Sequence, residues 1–182
     1  FDPTSACHMH CIGCWAAEYG HTLNLSFDVM DKIVREGKAL GCHFYLLTGG
    51  EPLMRKKDIL RLCRKYPDCE FHAFTNWTLI DDAFCDEVTD VGNLSFSLSI
   101  EGFREVNDSR RGEGDCDKVM HAMDLLRKHG IVFGTSICYT RKNIDTVTSD
   151  EFLDLLIKKG VWFTWYFHYM PVGNDASLDL LP

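Results

Sequence analysis

The sequence predicts an α/β fold, an open and partial (β/α)6 TIM-like barrel with parallel strands inside and helices outside. Three observations lead to this prediction. Short apolar segments alternate along the chain with helical segments of about 10–15 residues, which is typical of parallel βαβ units. The chain has 182 residues, whereas a closed eight-unit barrel needs about 250. Hydrophobic residues make up 46% of the chain, which is enough to bury one core.

Five helices are predicted from apolar periodicity and from the residues that begin and end helices. Ser26 can cap the first helix through its hydroxyl, and Gly41 follows it as a stop signal. Pro67 follows the second helix, and a glycine follows each of the other three. The predicted helices cover residues 26–40, 57–65, 81–91, 117–129 and 149–159, the last beginning at Ser149 or Asp150.

Five strands are predicted between the helices from short runs of apolar or alternating residues. They cover residues 43–47, 71–74, 94–100, 132–137 and 162–169. A sixth strand is expected to end near Phe1, because a cysteine-rich loop follows it and such barrels carry their chemistry on the loops after strand ends. The aromatic run over 162–169 is interpreted mainly as barrel core, with His168 and Tyr169 at the rim of the site. His72 is interpreted as a core histidine.

Composition argues against several classes of function. The formal net charge is −8, whereas general nucleic-acid or membrane-surface binding needs a basic face. No segment approaches the roughly 18–20 apolar residues of a membrane helix. Six cysteines lie outside any paired spacing, which favours free thiols in a reducing compartment. We therefore expect a cytoplasmic protein that binds neither nucleic acid nor membrane. The six are Cys42, Cys63, Cys69, Cys85, Cys116 and Cys138.

The most informative motif is a run of three cysteines near the start of the chain. Three residues separate Cys7 from Cys11, and two separate Cys11 from Cys14. Spacings this short let one loop surround a single inorganic centre, and soft thiolates suit iron–sulfur clusters or zinc. A structural zinc site needs four ligands, whereas three thiolates on a four-iron cluster leave one iron open.

A second motif, Thr48-Gly49-Gly50-Glu51-Pro52, follows the predicted strand over 43–47. Two glycines at a strand end let the backbone approach a ligand without an intervening Cβ. A glutamate at this place can accept a hydrogen bond from an ammonium group.

Together the two motifs resemble those of the radical S-adenosylmethionine (SAM) enzymes. The resemblance continues through Thr75-Asn76, Thr78-Leu79-Ile80, residues 97–102 and residues 108–112, and so covers essentially the whole chain. It is strongest to the branch that often carries a C-terminal iron–sulfur extension of the SPASM or Twitch type and modifies peptides or proteins. The resemblance implies that residues 1–182 form a catalytic core. Most of its first strand would lie upstream, and a cysteine-rich extension of about 100 residues or more would follow.

The resemblance also implies the cofactors. Cys7, Cys11 and Cys14 would ligate three irons of an oxygen-sensitive [4Fe–4S] cluster, and the amino and carboxylate groups of SAM would bind the fourth. One electron from a reductant such as ferredoxin or flavodoxin would cleave SAM into methionine and a 5′-deoxyadenosyl radical. This radical would abstract hydrogen from a substrate, whether small molecule, peptide or protein, which the fold does not select.

The implied SAM contacts follow the matched motifs. Gly49, Gly50 and Glu51 would receive the SAM ammonium, Ser99 and Glu101 would face the ribose, and Arg111 would pair with the carboxylate. The period of a strand places Ser97 on the same side as Ser99 and Glu101. The implied cofactor-binding set is Gly49, Gly50, Glu51, Pro52, Thr75, Asn76, Ser97, Ser99, Glu101 and Arg111.

Two positions depart from the family pattern. The family usually has an aromatic residue before the third cysteine, near the adenine, whereas this chain has Gly13 there and Trp15 after the cysteine. Either Trp15 takes over that packing or the last two strands hold the adenine. Trp77 replaces a commoner glycine, and it either lines the substrate space or packs a loop.

Two alternatives remain open at this point. One is a structural zinc site that adds His8, His10 or His21 to the three cysteines, although such sites normally draw on separated segments. The other is a non-catalytic electron-transfer protein, which needs a fourth cysteine ligand. The nearest candidate, Cys42, precedes a predicted strand and so is expected at the opposite end of the barrel.

Overall fold

The computed structural model describes residues 1–173 and 176–182, without the side chains of residues 17 and 18. Within this part of the chain, five parallel strands form one sheet, in which they lie in the same order as in the chain. The strands are β1 (Phe44–Leu47), β2 (Glu70–Thr75), β3 (Leu94–Ser99), β4 (Phe133–Tyr139) and β5 (Thr164–His168).

The sheet curls enough to bring the inner faces of distant strands together. The ring centroids of Phe74 on β2 and Trp165 on β5 are 5.9 Å apart, although β3 and β4 lie between the two strands. In a flat sheet, three steps between strands would separate them by about 14 Å. The architecture is therefore a half-barrel, and the predicted open, partial parallel barrel is confirmed.

Helices follow the strands and pack outside the sheet. All five predicted helices are present, and the side chains of Ser26, Asp81 and Ser149 cap three of them. Two further helices were not predicted: α4 (Arg104–Arg111), because its sequence is almost entirely polar, and α6 (Ile144–Val147), because it is a single turn of four residues. The helices are α1 (Phe27–Ala39), α2 (Lys56–Lys65), α3 (Asp82–Val91), α4 (Arg104–Arg111), α5 (Asp115–Lys128), α6 (Ile144–Val147) and α7 (Asp150–Lys159), with short 3-10 helices at Trp15–Tyr19, Pro52–Arg55 and Leu178–Leu180.

The described residues contain no strand ahead of the cysteine loop, where a sixth was expected, but the beginning of the chain bonds to β1. The Phe1 nitrogen donates to the Leu46 carbonyl at 2.7 Å, and the Thr48 amide donates to the Phe1 carbonyl at 3.2 Å. These bonds place the beginning of the chain beside β1, at the sheet edge opposite β5. The cysteine loop therefore leaves the sheet at the carboxyl end of its neighbouring strand.

The main core lies between the sheet and its helices. Phe71, Phe96 and Phe133 on the strands are buried together with Phe84 and Phe152 on the helices. Each such ring contributes on the order of 1.5–3 kcal/mol by leaving water. This layer fixes the strands whose carboxyl ends carry the site.

The inner face holds His72, as predicted, in a polar core position. Its ring is buried and bonds to the hydroxyls of Ser95 and Ser97 at 2.9 and 2.8 Å. Burial lowers the pKa of His72 to about 4, because the charged imidazolium would lose its hydration.

The interpretation of residues 162–169 as barrel core is wrong for most of them. Trp162 is 76% exposed and Trp165 is 41% exposed, whereas Tyr169 is buried. The physical reason is that β5 is an edge strand of the described sheet, so its aromatic residues have packing partners on one side.

No helix within the described residues is both long enough and apolar enough to span a bilayer.

Candidate active site

A cavity of about 420 Å³ lies at the carboxyl edge of the half-barrel. Loop cysteines form one wall, and the ends of β1, β2 and β3 form the other. Its lining includes most of the residues singled out by sequence, together with residues from the ends of β4 and β5. Among them are Cys7, Cys11, Cys14, Gly49, Gly50, Thr75, Asn76, Ser99, Glu101, Arg111, Cys138, His168 and Tyr169.

The three loop cysteines are half-buried and free. The Cys7 sulfur lies 3.5 Å from both the Met9 amide and the Asn76 side-chain nitrogen, and the Cys14 amide donates to the Cys11 carbonyl at 3.2 Å. Burial raises the pKa of the Cys7 and Cys11 thiols. For Cys11 the nearby Arg111 guanidinium opposes that rise.

No group of three or more His, Cys, Asp or Glu side chains in the described residues converges closely enough to hold a single metal ion. Two of the three histidines of the zinc alternative make other hydrogen bonds: His8 bonds to the Thr78 hydroxyl at 2.6 Å, and His21 accepts from the Cys7 amide at 3.3 Å. In a four-iron cluster each thiolate binds a different iron, so the three sulfur atoms need not converge on one point. The soft donor set therefore fits a cluster better than one ion.

Gly49 and Gly50 let the cysteine loop cross the end of β1. A Cβ on Gly49, whose φ is +111°, would lie 2.5 Å from the Thr4 carbonyl oxygen. A Cβ on Gly50 would lie 2.4 Å from the carbonyl oxygens of Ser5 and Ala6. The Gly50 amide instead donates to the Thr4 carbonyl at 3.0 Å. The two glycines thus hold the loop and also expose backbone to the cavity.

The motif is expected to receive the SAM ammonium through backbone oxygens, with the Glu51 carboxylate as a further acceptor; in the structure this carboxylate is buried, and Glu51 is not among the described residues of the cavity wall. Its oxygens accept from the Leu53 amide at 2.9 Å, the Thr75 hydroxyl at 2.7 Å and the Asn76 amide at 2.6 Å. Burial raises its pKa, and these three bonds act in the opposite direction. The side chain turns inward because these donors satisfy it there. Pro52 is also buried, at the start of the 3-10 helix.

The polar residues of β3 divide between two depths. Ser99 and Glu101 line the cavity. Ser97 lies deeper, bonded to His72, and is not among the described residues of the cavity wall. Strand periodicity correctly places all three on the inner face, but it does not give depth along the barrel.

Glu101 and two arginines form a buried charged group beside the cysteines. Arg110 donates to Glu101 at 2.5 Å, and Arg111 lies 3.7 Å from the same carboxylate oxygen. Arg111 also donates through Nε to Asp115 at 3.1 Å. Burial raises the pKa of Glu101, and the two guanidinium groups counteract it. The group presents both signs of charge to the cavity.

Sequence reasoning missed three residues of the site and left two open. From the sequence, Arg110 and Asn143 have no assigned role, and Cys138 is one of the six free thiols. Asn143 donates to the Glu101 backbone carbonyl at 3.1 Å.

Trp77 packs in the core. At Gly13 a Cβ would lie 2.6 Å from the Tyr169 hydroxyl. The glycine itself was the available signal that another side chain occupies that space.

Comparison with known proteins decides the family. The model of the Radical SAM superfamily matches residues 1–156. The chain belongs to the radical SAM superfamily.

Two curated relatives align with nearly the whole chain at low sequence identity. An Fe-coproporphyrin III synthase of Methanosarcina barkeri is 27% identical, with 96% of this chain and 44% of the relative aligned. A GTP 3′,8-cyclase of Clostridium perfringens is 23% identical, with 96% and 55% aligned. This radical SAM chain thus spans about half the length of the curated relatives it matches.

Solved structures share the fold. Streptococcus suis SuiB bound to S-adenosylmethionine superposes with a TM-score of 0.82 at 18% identity, over 96% of this chain and 41% of SuiB. anSMEcpe with bound AdoMet and a peptide gives 0.76 at 20% identity, over 92% and 49%. The half-barrel is therefore that of radical SAM enzymes.

Proposed function

We propose that Cys7, Cys11 and Cys14 bind a [4Fe–4S] cluster and that SAM binds beside it, in the same cavity. The supporting observation is that one cavity is lined by all three loop cysteines, by the Gly49-Gly50 turn and by the polar ends of β2 and β3. When bound and reduced by one electron, the cluster would supply the electron that converts SAM into methionine and a 5′-deoxyadenosyl radical able to take a hydrogen atom from a substrate.

The residues of this chain bind and orient SAM in our proposal. Backbone oxygens at Gly49 and Gly50 accept from the ammonium, and Ser99 and Glu101 bind the ribose hydroxyls. Arg111 pairs with the carboxylate of SAM, because a planar guanidinium matches the geometry of a carboxylate. Thr75 and Asn76 border the same space. Glu51, Pro52 and Ser97 support the strand ends rather than contact the ligand.

We propose Tyr169 as the residue nearest the adenine. Its ring covers Gly13, it lines the cavity, and its hydroxyl accepts from the Ser177 amide at 2.9 Å, which fixes the ring. Trp15 also borders the cavity but is half exposed. A fixed, buried ring is the better surface for a base to stack on.

The substrate and the electron donor are the finer parts of the proposal. The relatives include an Fe-coproporphyrin III synthase, an AdoMet-dependent heme synthase and a GTP 3′,8-cyclase, and one structural neighbour holds a precursor peptide. We propose a low-potential carrier such as ferredoxin or flavodoxin as the reductant. A C-terminal extension with further cysteines, expected from the resemblance, remains a prediction that the full reading frame would test.

The electron-transfer alternative needs a fourth cysteine ligand, and Cys138 is the candidate in the cavity. It lines the cavity near the loop cysteines, whereas Cys42 precedes β1 and lies at the opposite end of the strands. Cys138 lies on β4, outside the loop that carries the other three cysteines. If Cys138 were a fourth ligand, no iron would remain open for SAM.

The test is anaerobic reconstitution followed by iron analysis and visible absorbance. Cys7→Ala, Cys11→Ala and Cys14→Ala should each lose most of the cluster, while Cys138→Ala, the matched cysteine of the same cavity, should keep all four irons. A triple loop variant that still holds four irons would contradict the proposed site. Loss of the cluster in Cys138→Ala would favour the electron-transfer alternative.

A further inference from the structure

The second half of the cysteine loop is held by a single residue of helix α4. The Ile12 amide donates to the Arg110 carbonyl at 2.9 Å, and the Arg110 Nε donates to the Ile12 carbonyl at 3.0 Å. Ile12 lies between Cys11 and Cys14 in the chain. Among the described residues, these two bonds are the hydrogen bonds that tie residues 11–14 to the barrel.

The other end of the Arg110 side chain is anchored in the barrel. Its Nη1 donates to Glu101 at 2.5 Å, and the two side chains are 13% and 3% exposed. Glu101 is itself fixed, because Asn143 donates to its backbone carbonyl at 3.1 Å. Arg110 therefore connects the loop to the end of β3 through two nitrogens of one guanidinium, whose fixed planar geometry a single ammonium nitrogen does not reproduce.

The first half of the loop is held differently. Gly50 and Glu51 donate their backbone amides to the carbonyls of Thr4 and Ala6 at 3.0 and 2.7 Å. Those bonds need no particular side chain, whereas the hold on Ile12 depends on Arg110. The spacing between Cys7 and the pair Cys11–Cys14 is thus set by two independent attachments.

We propose that Arg110 is a positioning residue that fixes Cys11 and Cys14 relative to Cys7 and to Glu101. The inference rests on the proposed function in that these thiolates hold the cluster. Arg110 acts through Ile12 and Glu101 and is not itself a ligand. Its role is separate from that of Arg111, which bonds to Asp115 and faces SAM.

The experiment is hydrogen–deuterium exchange of the reconstituted protein under anaerobic conditions. Arg110→Lys keeps the charge but replaces the two fixed donors, Nε and Nη1, by one flexible ammonium, and Arg110→Gln removes the charge as well. Neither substitution removes the backbone carbonyl of residue 110, which accepts from the Ile12 amide. The protection of the Ile12 amide from exchange therefore reports whether the Arg110 side chain is needed to hold the loop. Arg104→Gln is the matched control, because Arg104 lies on the same helix in an exposed pair with Asp117.

Both Arg110 variants should exchange the Ile12 amide about tenfold faster, the effect of losing one charge-assisted hydrogen bond in a local opening. Amides of β2 and β3 should be unchanged, and the control should match the wild type. The electron paramagnetic resonance signal of the reduced cluster should broaden in both variants. Wild-type exchange and spectrum in Arg110→Lys would overturn the proposal, since charge alone would then suffice.

Two further outcomes are separable. If Arg110→Gln does not fold, Arg110→Lys carries the test, because it leaves no uncompensated buried carboxylate. If the wild type forms no cluster, the proposed function fails. The exchange comparison, made then on the metal-free protein, still decides whether Arg110 holds the loop.

Discussion

Two buried glutamates follow strands β1 and β3, which lie on either side of β2, at the same edge of the half-barrel, and their hydrogen-bond partners differ in charge. Glu51, after β1, is 1% exposed, and Glu101, after β3, is 2% exposed. Glu51 accepts from two backbone amides and a hydroxyl. Glu101 is paired with guanidinium groups. Burial raises the pKa of both carboxyls.

The difference in partners indicates different roles: Glu51 stabilises the fold, and Glu101 belongs to the binding cavity. The bonds of Glu51 join the end of β1 to the end of β2, and its carboxylate points away from the cavity. Glu101 lines the cavity, and its charged partners link it to the cysteine loop. A buried carboxylate with neutral donors is expected to matter mainly for folding, and one with charged partners at a cavity wall mainly for binding.

The largest expected effect is on Glu51→Ala. The substitution leaves the Leu53 and Asn76 amides and the Thr75 hydroxyl without their acceptor, and should lower the free energy of unfolding by roughly 4 kcal/mol. Urea denaturation of the purified chain measures it. The control is Glu87→Ala, whose exposed pair with Arg64 should contribute less than about 0.5 kcal/mol. A loss in Glu51→Ala no larger than that of the control would refute the structural role.

The next effect concerns His72, which like Glu51 has neutral partners only. Its pKa is lowered from 6.5 to about 4 in the folded protein, so the unfolded chain takes up the proton first as pH falls. The stabilisation is fully present above pH 6.5 and decreases by about 3 kcal/mol as pH falls towards 4. Comparing urea denaturation of wild type and His72→Gln at pH 7 and at acidic pH isolates this contribution.

The two glutamates with raised pKa contribute in the opposite sense. Their stabilisation relative to the unfolded chain is present at low pH and is lost as pH rises through their folded pKa. They are unchanged in His72→Gln, so they cancel in the difference. An identical pH dependence for wild type and His72→Gln would show that His72 does not remain neutral in the fold.

A smaller stability effect, with a larger binding effect, is expected for Glu101→Gln. Glutamine keeps the size and one acceptor oxygen, and Arg111 keeps Asp115, so the free energy of unfolding should fall by about 2 kcal/mol. SAM affinity should fall about tenfold, which corresponds to one charge-assisted hydrogen bond. Anaerobic calorimetric titration of the reconstituted protein measures it. Equal losses of SAM affinity in Glu51→Gln and Glu101→Gln would remove the distinction between the two sites.

The smallest effect on the free energy of unfolding is expected for Tyr169→Phe, which removes one neutral hydrogen bond. The Ser177 amide loses its acceptor, and the free energy of unfolding should fall by about 1 kcal/mol. The ring stays over Gly13, so SAM affinity should not change, whereas Tyr169→Ala should weaken it. Wild-type affinity in Tyr169→Ala would exclude the proposed adenine contact.

The sequence predicts the elements better than the orientations of side chains. Helices α1, α3 and α7 carry cap residues and an apolar stripe, and they form where expected. Helix α4 has no such stripe and is visible only in three dimensions. The glycine-glutamate motif gives the place of Glu51, but the direction of its carboxylate depends on donors contributed by β2. The covering of Gly13 by Tyr169 likewise joins residues more than 150 positions apart, which no local pattern records.

The most direct test of the account is to measure by chromatography whether reduced, reconstituted protein forms 5′-deoxyadenosine from SAM. The cavity that joins the loop cysteines to the Gly49-Gly50 turn predicts slow formation without substrate, with methionine in equal amount. It also predicts loss of the product in Cys11→Ala and retention in Cys138→Ala. A protein that holds four irons and binds SAM, yet forms no 5′-deoxyadenosine under any reductant, would contradict the proposed reaction.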